Sequence, residues 1–357
     1  MSGAEKKRVV VAMSGGVDSS VAAHLLLQQG WAVSGMFMRR TVAAASESDS
    51  DENDAREVAR VLGIEIEVVD FAAEFKSLIE YFLDEYNRGR TPNPCVCCNR
   101  MIKFGALLRL ARERGADCFA TGHHARIERD ETGEYLLKKS CDPAKDQSYM
   151  LFGIERENLP FVRFPLGEMT KEDVRAIAEA IGLPVRDKPD SQDICFVPDG
   201  DYRAVLKEVS PGLNSPGDIV DEGGVVLGRH DGYQFYTVGQ RRGLGIAAGA
   251  PIYVLGIDSQ ANQVIMGPAE SLMRDAMYIE DVNWLSEPEF GNDARVQVAA
   301  SIRYAHKPQT AWLERAGQKW LLTFERKVRA ATPGQAAVFY DGDTVLGGGW
   351  IDETFCV

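Results

Sequence analysis

The sequence predicts an α/β protein: a doubly wound parallel sheet with a helical extension, followed by two small β domains. Three observations carry this reading. In the first third, short unbroken apolar runs alternate with segments of helical periodicity, the rhythm of strands buried on both faces and joined by helices. From about residue 143 to 205 the pattern is helical and rich in loops. After about residue 208 glycines become frequent and apolar runs short, the texture of barrels or small sandwiches.

The elements follow in order. Val9-Val10-Val11-Ala12 is a buried strand, and glycines come directly after it. Val21, Ala22, Leu25 and Leu26 then recur at helical spacing up to Gly30, in a helix expected to start near Ser19. Trp31–Phe37 reads as a second strand, 54–62 as a helix, Ile64–Phe71 as a third strand and 72–87 as a helix. Cys118–Thr121 is a further buried strand, and residues 172–182 form an amphipathic helix that ends at Gly182. The polar, acidic stretch 41–54 between the second strand and its helix is expected to be a mobile surface loop with no catalytic role.

Composition bounds the function. The chain has 357 residues, 45% hydrophobic and 26% charged, which excludes a largely disordered or collagen-like protein. No apolar run is long enough to span a membrane, and the N-terminal run is too short for a signal peptide, so a cytoplasmic protein is expected. The formal net charge of −13 argues against a nucleic-acid partner only as a global sum. Residues 86–115 hold seven Lys or Arg against one acid, and residues 295–330 hold eight against two. With Arg241-Arg242 these could form a basic surface on an acidic body, although such faces are more often merely solvated.

The segment AMSGGVDSS, residues 12–20, sits between the first strand and the first helix. Its two glycines let backbone approach a phosphate, Ser14, Ser19 and Ser20 supply hydroxyls, and the helix N-terminus points at the same place. There is no Walker lysine, and Asp18 inside the loop calls for a cation, with Mg2+ as the natural one. The bland alternative is a glycine-rich β–α turn with a capping serine.

Cysteine supplies the second constellation. Three of seven cysteines, Cys95, Cys97 and Cys98, fall within four residues, just before a helix expected from about Asn99 to Arg114. A thiol at a helix N-terminus with Arg100 and Lys103 nearby is a candidate reactive thiolate, which singles out Cys98. Cys195, in a loop bounded by Pro189 and Pro198, is the candidate partner. A structural zinc site is the alternative, but no second ligand pair at finger-like spacing completes it.

The loop string resembles the PP-loop of the ATP pyrophosphatase superfamily. That resemblance implies ATP binding at Ala12, Met13, Ser14, Gly15, Gly16, Val17, Asp18 and Ser19, with Met38 and Gly122 at the adenosine. The strings SGGVDSS, GRTPNPC..CN..IKFG, ATGHHAR, KDQSY, DSQDICF, TVGQRRGLGI and ATPGQAAVFYDGD are similar to the tRNA-specific 2-thiouridylase family, in that family's order and over nearly the whole chain. The resemblance implies adenylation of O2 of the wobble uridine of tRNA by ATP, then sulfur transfer. Cys195 would carry a persulfide delivered by a sulfur-carrier protein, and Cys98 would be the second catalytic thiol. It further implies that Asn93, Pro94 and Cys95 meet the extruded target base. His123, Lys145, Asp146, Gln147, Arg303, Tyr304 and Gln335 would touch tRNA.

The implied parts are a PP-loop domain with its tRNA-binding extension at 1–207, a central β domain at 208–275 and a C-terminal β-barrel at 276–357, in a monomer. Two departures stand out. Cys95 replaces the family's Asp, which opens an alternative in which Cys95, Cys98 and Cys195 hold a 4Fe-4S cluster, and His124 replaces a Tyr. Two other readings remain beside these: a different PP-loop ligase acting on a small acid, and a tRNA-binding or sulfur-carrying protein with a degenerate ATP site.

Overall fold

In a computed structural model of the chain, the structure describes residues 6–40, 47–190, 194–197, 200–209, 215–246, 250–290 and 294–356. The first strand, β1 (Arg8–Ala12), leads into α1 (Val17–Gln28), β2 (Ala32–Arg39), α2 (Glu47–Leu62), β3 (Glu65–Asp70) and α3 (Ala72–Asn87). A continuous helical segment follows, made of α4 (Pro94–Cys97), a π-helical stretch Cys98–Leu107 and α5 (Leu108–Glu113). Then come β4 (Cys118–Thr121), the hairpin β5 (Ala125–Arg129) and β6 (Tyr135–Lys139), β7 (Val162–Arg163), α6 (Lys171–Ala180) and α7 (Tyr202–Val209).

Among the described residues the first sheet runs β3-β2-β1-β4-β7, and its neighbouring strands are parallel. Val9 and Val11 have no exposed surface and Val10 has almost none, because helices cover both faces. The strand order turns outward on both sides of β1. The carboxyl end of β1 is therefore the switch-point crevice where such sheets bind ligands.

Two β assemblies follow. Strands β8 (Gly217–Asp221), β9 (Val226–His230), β10 (Tyr253–Asp258) and β11 (Gln263–Gly267) form a sheet ordered β10-β11-β8-β9. The last assembly uses β12 (Met273–Trp284), β13 (Arg295–Ser301), β14 (Gln309–Ala316), β15 (Lys319–Arg329), β16 (Ala336–Asp341) and β17 (Thr344–Phe355). These run β12-β15-β14-β13-β16-β17, and β17 pairs back onto β12 to close a barrel. Its interior is filled by Met277, Ile279, Leu313, Leu322 and Phe339, all fully buried. The expected α/β sheet followed by β domains is the observed architecture.

Four local expectations need correction. The acidic stretch is not all loop: α2 begins at Glu47, while residues 41–46 lie outside those described. Among the described residues, Arg39 and Arg56 pair with Glu52 and Lys188 pairs with Asp51 and Asp54, which offsets part of the acidic run. The helix after the cysteines starts at Pro94, with Pro at its first position and Asn93 as N-cap. The first helix starts at Val17, two residues before Ser19, which puts Asp18 in its first turn. Finally, β5 and β6 were not anticipated. They continue the barrel sheet through a pairing of Lys138 with Thr344.

Candidate active site at the carboxyl edge of the parallel sheet

The phosphate loop is folded as a cradle. Gly15 adopts a left-handed φ of 72°, and a side chain there would meet the Asp51 carbonyl oxygen at 2.3 Å. Ser19 Oγ accepts from the Ser14 N–H at 3.2 Å and donates to the Gly16 carbonyl at 3.2 Å, and Ser20 Oγ donates to the same carbonyl at 2.7 Å. Met13 is tied to β2 by its N–H on the Met36 carbonyl at 2.8 Å. Gly122, just past β4, leaves no room for a methyl: a Cβ would lie 2.6 Å from the Asp18 carbonyl carbon and the Ser19 nitrogen. Ala12 and Val17 frame the loop at the end of β1 and the start of α1, and Met38 lies near the end of β2.

Two lysines from far along the chain approach this loop. Lys171 Nζ donates to Asp18 Oδ1 at 2.6 Å, and Lys188 Nζ donates to the Gly15 carbonyl at 3.1 Å. Burial pushes the Asp18 carboxyl up, but the neighbouring His124 and the hydrogen-bonded Lys171 outweigh it and hold the pKa below the usual range. His124 is buried with its Nε2 3.7 Å from Asp18 Oδ1, beyond hydrogen-bond length, and neither ring nitrogen has a partner among the described residues. Neither lysine was legible in the sequence, where each reads as an ordinary surface charge.

The thiols lie beside this cradle, in a setting unlike the expected one. Cys98 is one turn inside the helix rather than at its N-terminus, and it is buried. Burial pushes its thiol up to about 11, with Cys195 and Cys95 adding to the rise and Lys103 and Arg40 opposing it. The expected low-pKa thiolate is therefore corrected: in this conformation desolvation wins over the nearby cations. Arg100 does not serve Cys98, because its guanidinium is engaged by Asp281. The second cation is Arg40, directly after β2, which sequence reasoning missed. Its own burial opposes its charge, while Cys195, Asp51 and Cys98 favour it, and Asp51 pairs with it at 3.0 Å.

Cys195 is exposed, and it shares the field of Arg40, Cys98 and Cys95. Residues 191–193 and 198–199 on either side lie outside those described. The three cysteines sense one another, yet among the described residues no group of three His, Cys, Asp or Glu side chains is gathered as a metal site. In this conformation the three sulfurs are thus not converged as the ligands of a 4Fe-4S cluster would be. Burial raises both Cys95 and Cys98 above the ordinary thiol value.

The remaining predicted residues are placed as follows. Asn93 caps α4 by accepting from the Val96 N–H at 3.3 Å, Pro94 is buried and Cys95 is partly exposed. Gln335 donates to the Thr91 and Pro92 carbonyls at 3.1 Å each, so the barrel holds this loop from behind. Lys103 Nζ lies 3.4 Å from His123 Nε2, which leaves Nδ1–H to donate to Thr121 Oγ1 at 2.7 Å. Burial, then Lys103, keeps that imidazole well below its usual pKa.

Asp146 accepts from the Ser140 and Ser148 N–H groups, and Gln147 Oε1 accepts from the His124 N–H at 2.9 Å. Lys145 pairs with Asp190 at 2.8 Å. Tyr304 is 42% exposed and lies in the field of both Asp146 and Lys145, so the barrel and the 145–147 turn share one surface. Arg303, beside Tyr304, donates to the Arg329 carbonyl at 2.9 Å.

The fold and site define a PP-loop nucleotide-binding enzyme with several free thiols near its loop. Three family models match it in succession: the tRNA methyl transferase HUP domain at residues 7–199, the tRNA methyl transferase PRC-barrel domain at 204–268 and the aminomethyltransferase beta-barrel domain at 274–351. The chain is 49% identical to the tRNA-specific 2-thiouridylase MnmA of Geobacter metallireducens, covering 97% of each chain. It is 48% identical to that of Geotalea uraniireducens (98% of this chain, 96% of the other) and 45% identical to that of Rickettsia rickettsii (98% of each). The chain belongs to the tRNA-specific 2-thiouridylase family.

Proposed function

We propose that the protein is an ATP-dependent tRNA-uridine 2-sulfurtransferase acting on the wobble uridine. One observation carries the reading beyond family membership: Cys98 and Cys195 share the field of Arg40 at the carboxyl edge of the sheet that bears the phosphate loop. A uridine C2 carbonyl has a poor leaving oxygen. Attack of O2 on the α-phosphate of ATP forms a P–O bond, expels pyrophosphate and makes AMP the leaving group. The backbone of Ser14–Ser19 and the α1 N-terminus would bind the phosphates, with Lys171 and Lys188 in the Walker lysine's place. Asp18 would hold Mg2+ together with phosphate oxygens, and that ion would neutralise the charge of the leaving pyrophosphate.

Sulfur transfer then rests on the two thiols. The terminal sulfur of a Cys195 persulfide attacks C2 and AMP departs. Cys98 displaces the thiolated uridine from Cys195, closing a Cys98–Cys195 disulfide that an external dithiol must reduce. The exposure of Cys195 suits loading by a sulfur-carrier protein, and the burial of Cys98 keeps it from reacting prematurely. Asn93, Pro94 and Cys95 would receive the base, with His123, the 145–147 turn, Arg303, Tyr304 and Gln335 on the RNA side.

The reading includes a monomer with parts at 1–207, 208–275 and 276–357, working in the cytoplasm. No helix among the described residues is long and apolar enough to cross a membrane. The test is incubation with ATP, unmodified tRNA and a persulfide donor, followed by mass spectrometry of the nucleosides. Formation of 2-thiouridine, abolished by Cys195→Ser or Cys98→Ser, is the expected result, and an active double variant would overturn the thiol assignment.

A further inference from the structure

The carboxylate of Asp190 is a meeting point of cations. Lys145 Nζ lies 2.8 Å from Oδ2, while Lys171 Nζ and Arg175 Nη2 each lie 2.9 Å from Oδ1. The three come from two places, the turn before residue 146 and the first two turns of α6. Burial alone would raise the Asp190 carboxyl, but the hydrogen bonds and charge of Lys145 and Lys171 hold it far below the usual carboxylate range. One exposed ion pair is worth little, whereas a carboxylate shared among three cations, one of them the buried Lys171, is a fixed point.

A second observation gives this point a direction. Lys171 Nζ also donates to Asp18 Oδ1 at 2.6 Å, so one ammonium joins the phosphate loop to Asp190. A third concerns the chain itself, because Asp190 stands five residues before Cys195. On the other side, Cys195 interacts with Arg40, Arg40 pairs with Asp51, and the Asp51 backbone packs against Gly15 of the loop. Asp190 and Cys195 itself therefore each connect to the nucleotide cradle through charged contacts.

We propose that Asp190 is a positioning residue for sulfur transfer, anchoring the root of the Cys195 segment and, through Lys171, tying that anchorage to what occupies the phosphate loop. This rests on the thiolation reading. An ammonium has three donors, and Lys171 already divides them between two carboxylates. A phosphate entering the loop competes with both for the same cation, and departure of pyrophosphate returns it to Asp190. Presentation of the thiol is thereby coupled to adenylation, while Asp190 itself makes and breaks no covalent bond.

The test is Asp190→Asn in the full chain, which keeps the shape and removes the charge. Three quantities are read: tRNA-dependent pyrophosphate release, 2-thiouridine formation, and the alkylation rate of Cys195 with and without a non-hydrolysable ATP analogue. In the unaltered protein the analogue is expected to change Cys195 alkylation by about twofold or more. In Asp190→Asn, pyrophosphate release stays within about twofold, 2-thiouridine falls about tenfold or more, the nucleotide response of Cys195 disappears, and Asp190→Glu restores part of each.

Equal loss of adenylation and transfer, or an Asp190→Asn protein that keeps the nucleotide response, overturns the proposal. If Asp190→Asn fails to fold, Arg175→Gln, whose side chain is 40% exposed, must show the same pattern at about threefold, and a flat result there overturns it equally. An unaltered protein that neither releases pyrophosphate nor thiolates tRNA would instead sink the thiolation reading.

Discussion

At the scale of single residues, the site depends on close approach and on burial. Gly122 has no room for a methyl against Asp18 and Ser19, so Gly122→Ala should displace the loop and weaken ATP binding about tenfold or more, measured by calorimetry. Gly63→Ala, where nothing lies within 4 Å, is the control for backbone strain alone, since its φ is 67°. The thiols obey the same logic. Cys98, raised to about 11 from an ordinary 9.0, should resist iodoacetamide at pH 7.5 while Cys195 is labelled, as peptide mapping would show. A folded pKa above the unfolded one gives stability that is complete below pH 9 and lost as pH rises through about 11. The urea midpoint should therefore fall over that window, and fall less in Cys98→Ala.

Among elements, those legible in the sequence were the ones whose burial is decided locally. The four-residue strand β4 and the helix α3 stand where the apolar pattern put them, because β4 is read from contiguous apolar residues and α3 from the local spacing of Phe75, Leu78, Ile79 and Phe82. The hairpin β5–β6 was missed because it is strongly charged, and β6 finds its partner in β17, some 200 residues later. Likewise the PP-loop and the thiols were visible as strings, whereas Arg40, Lys171, Lys188 and Asp190 meet only through the tertiary fold. The element that delivers Lys171 is α6, whose capping box joins Thr170 and Asp173. Thr170→Ala should cost about 1 kcal/mol in urea denaturation and raise the KM for ATP, because Lys171 is the first helical residue.

Across the whole molecule, Arg90 locks the α/β part to the barrel. Its guanidinium lies 3.2 Å from Glu280 and 3.1 Å from Asp352, and its Nε sits 2.8 Å from Glu85, off the hydrogen-bond axis. Arg90→Met should cost about 3 kcal/mol by leaving the buried Glu85 with only the exposed Arg88 at 3.6 Å, and should split one calorimetric unfolding transition into two. The strand β17 has a related role, for it pairs with β16, β12 and β6. Its consequence lies in synthesis rather than in catalysis. As the chain leaves the ribosome, the parallel sheet can form early, but the β5–β6 hairpin keeps an open edge until the final strand emerges. The nascent enzyme therefore stays exposed to wrong pairings until Thr344–Phe355 is made, and termination between Asp341 and Thr344 would remove the one strand that three others await.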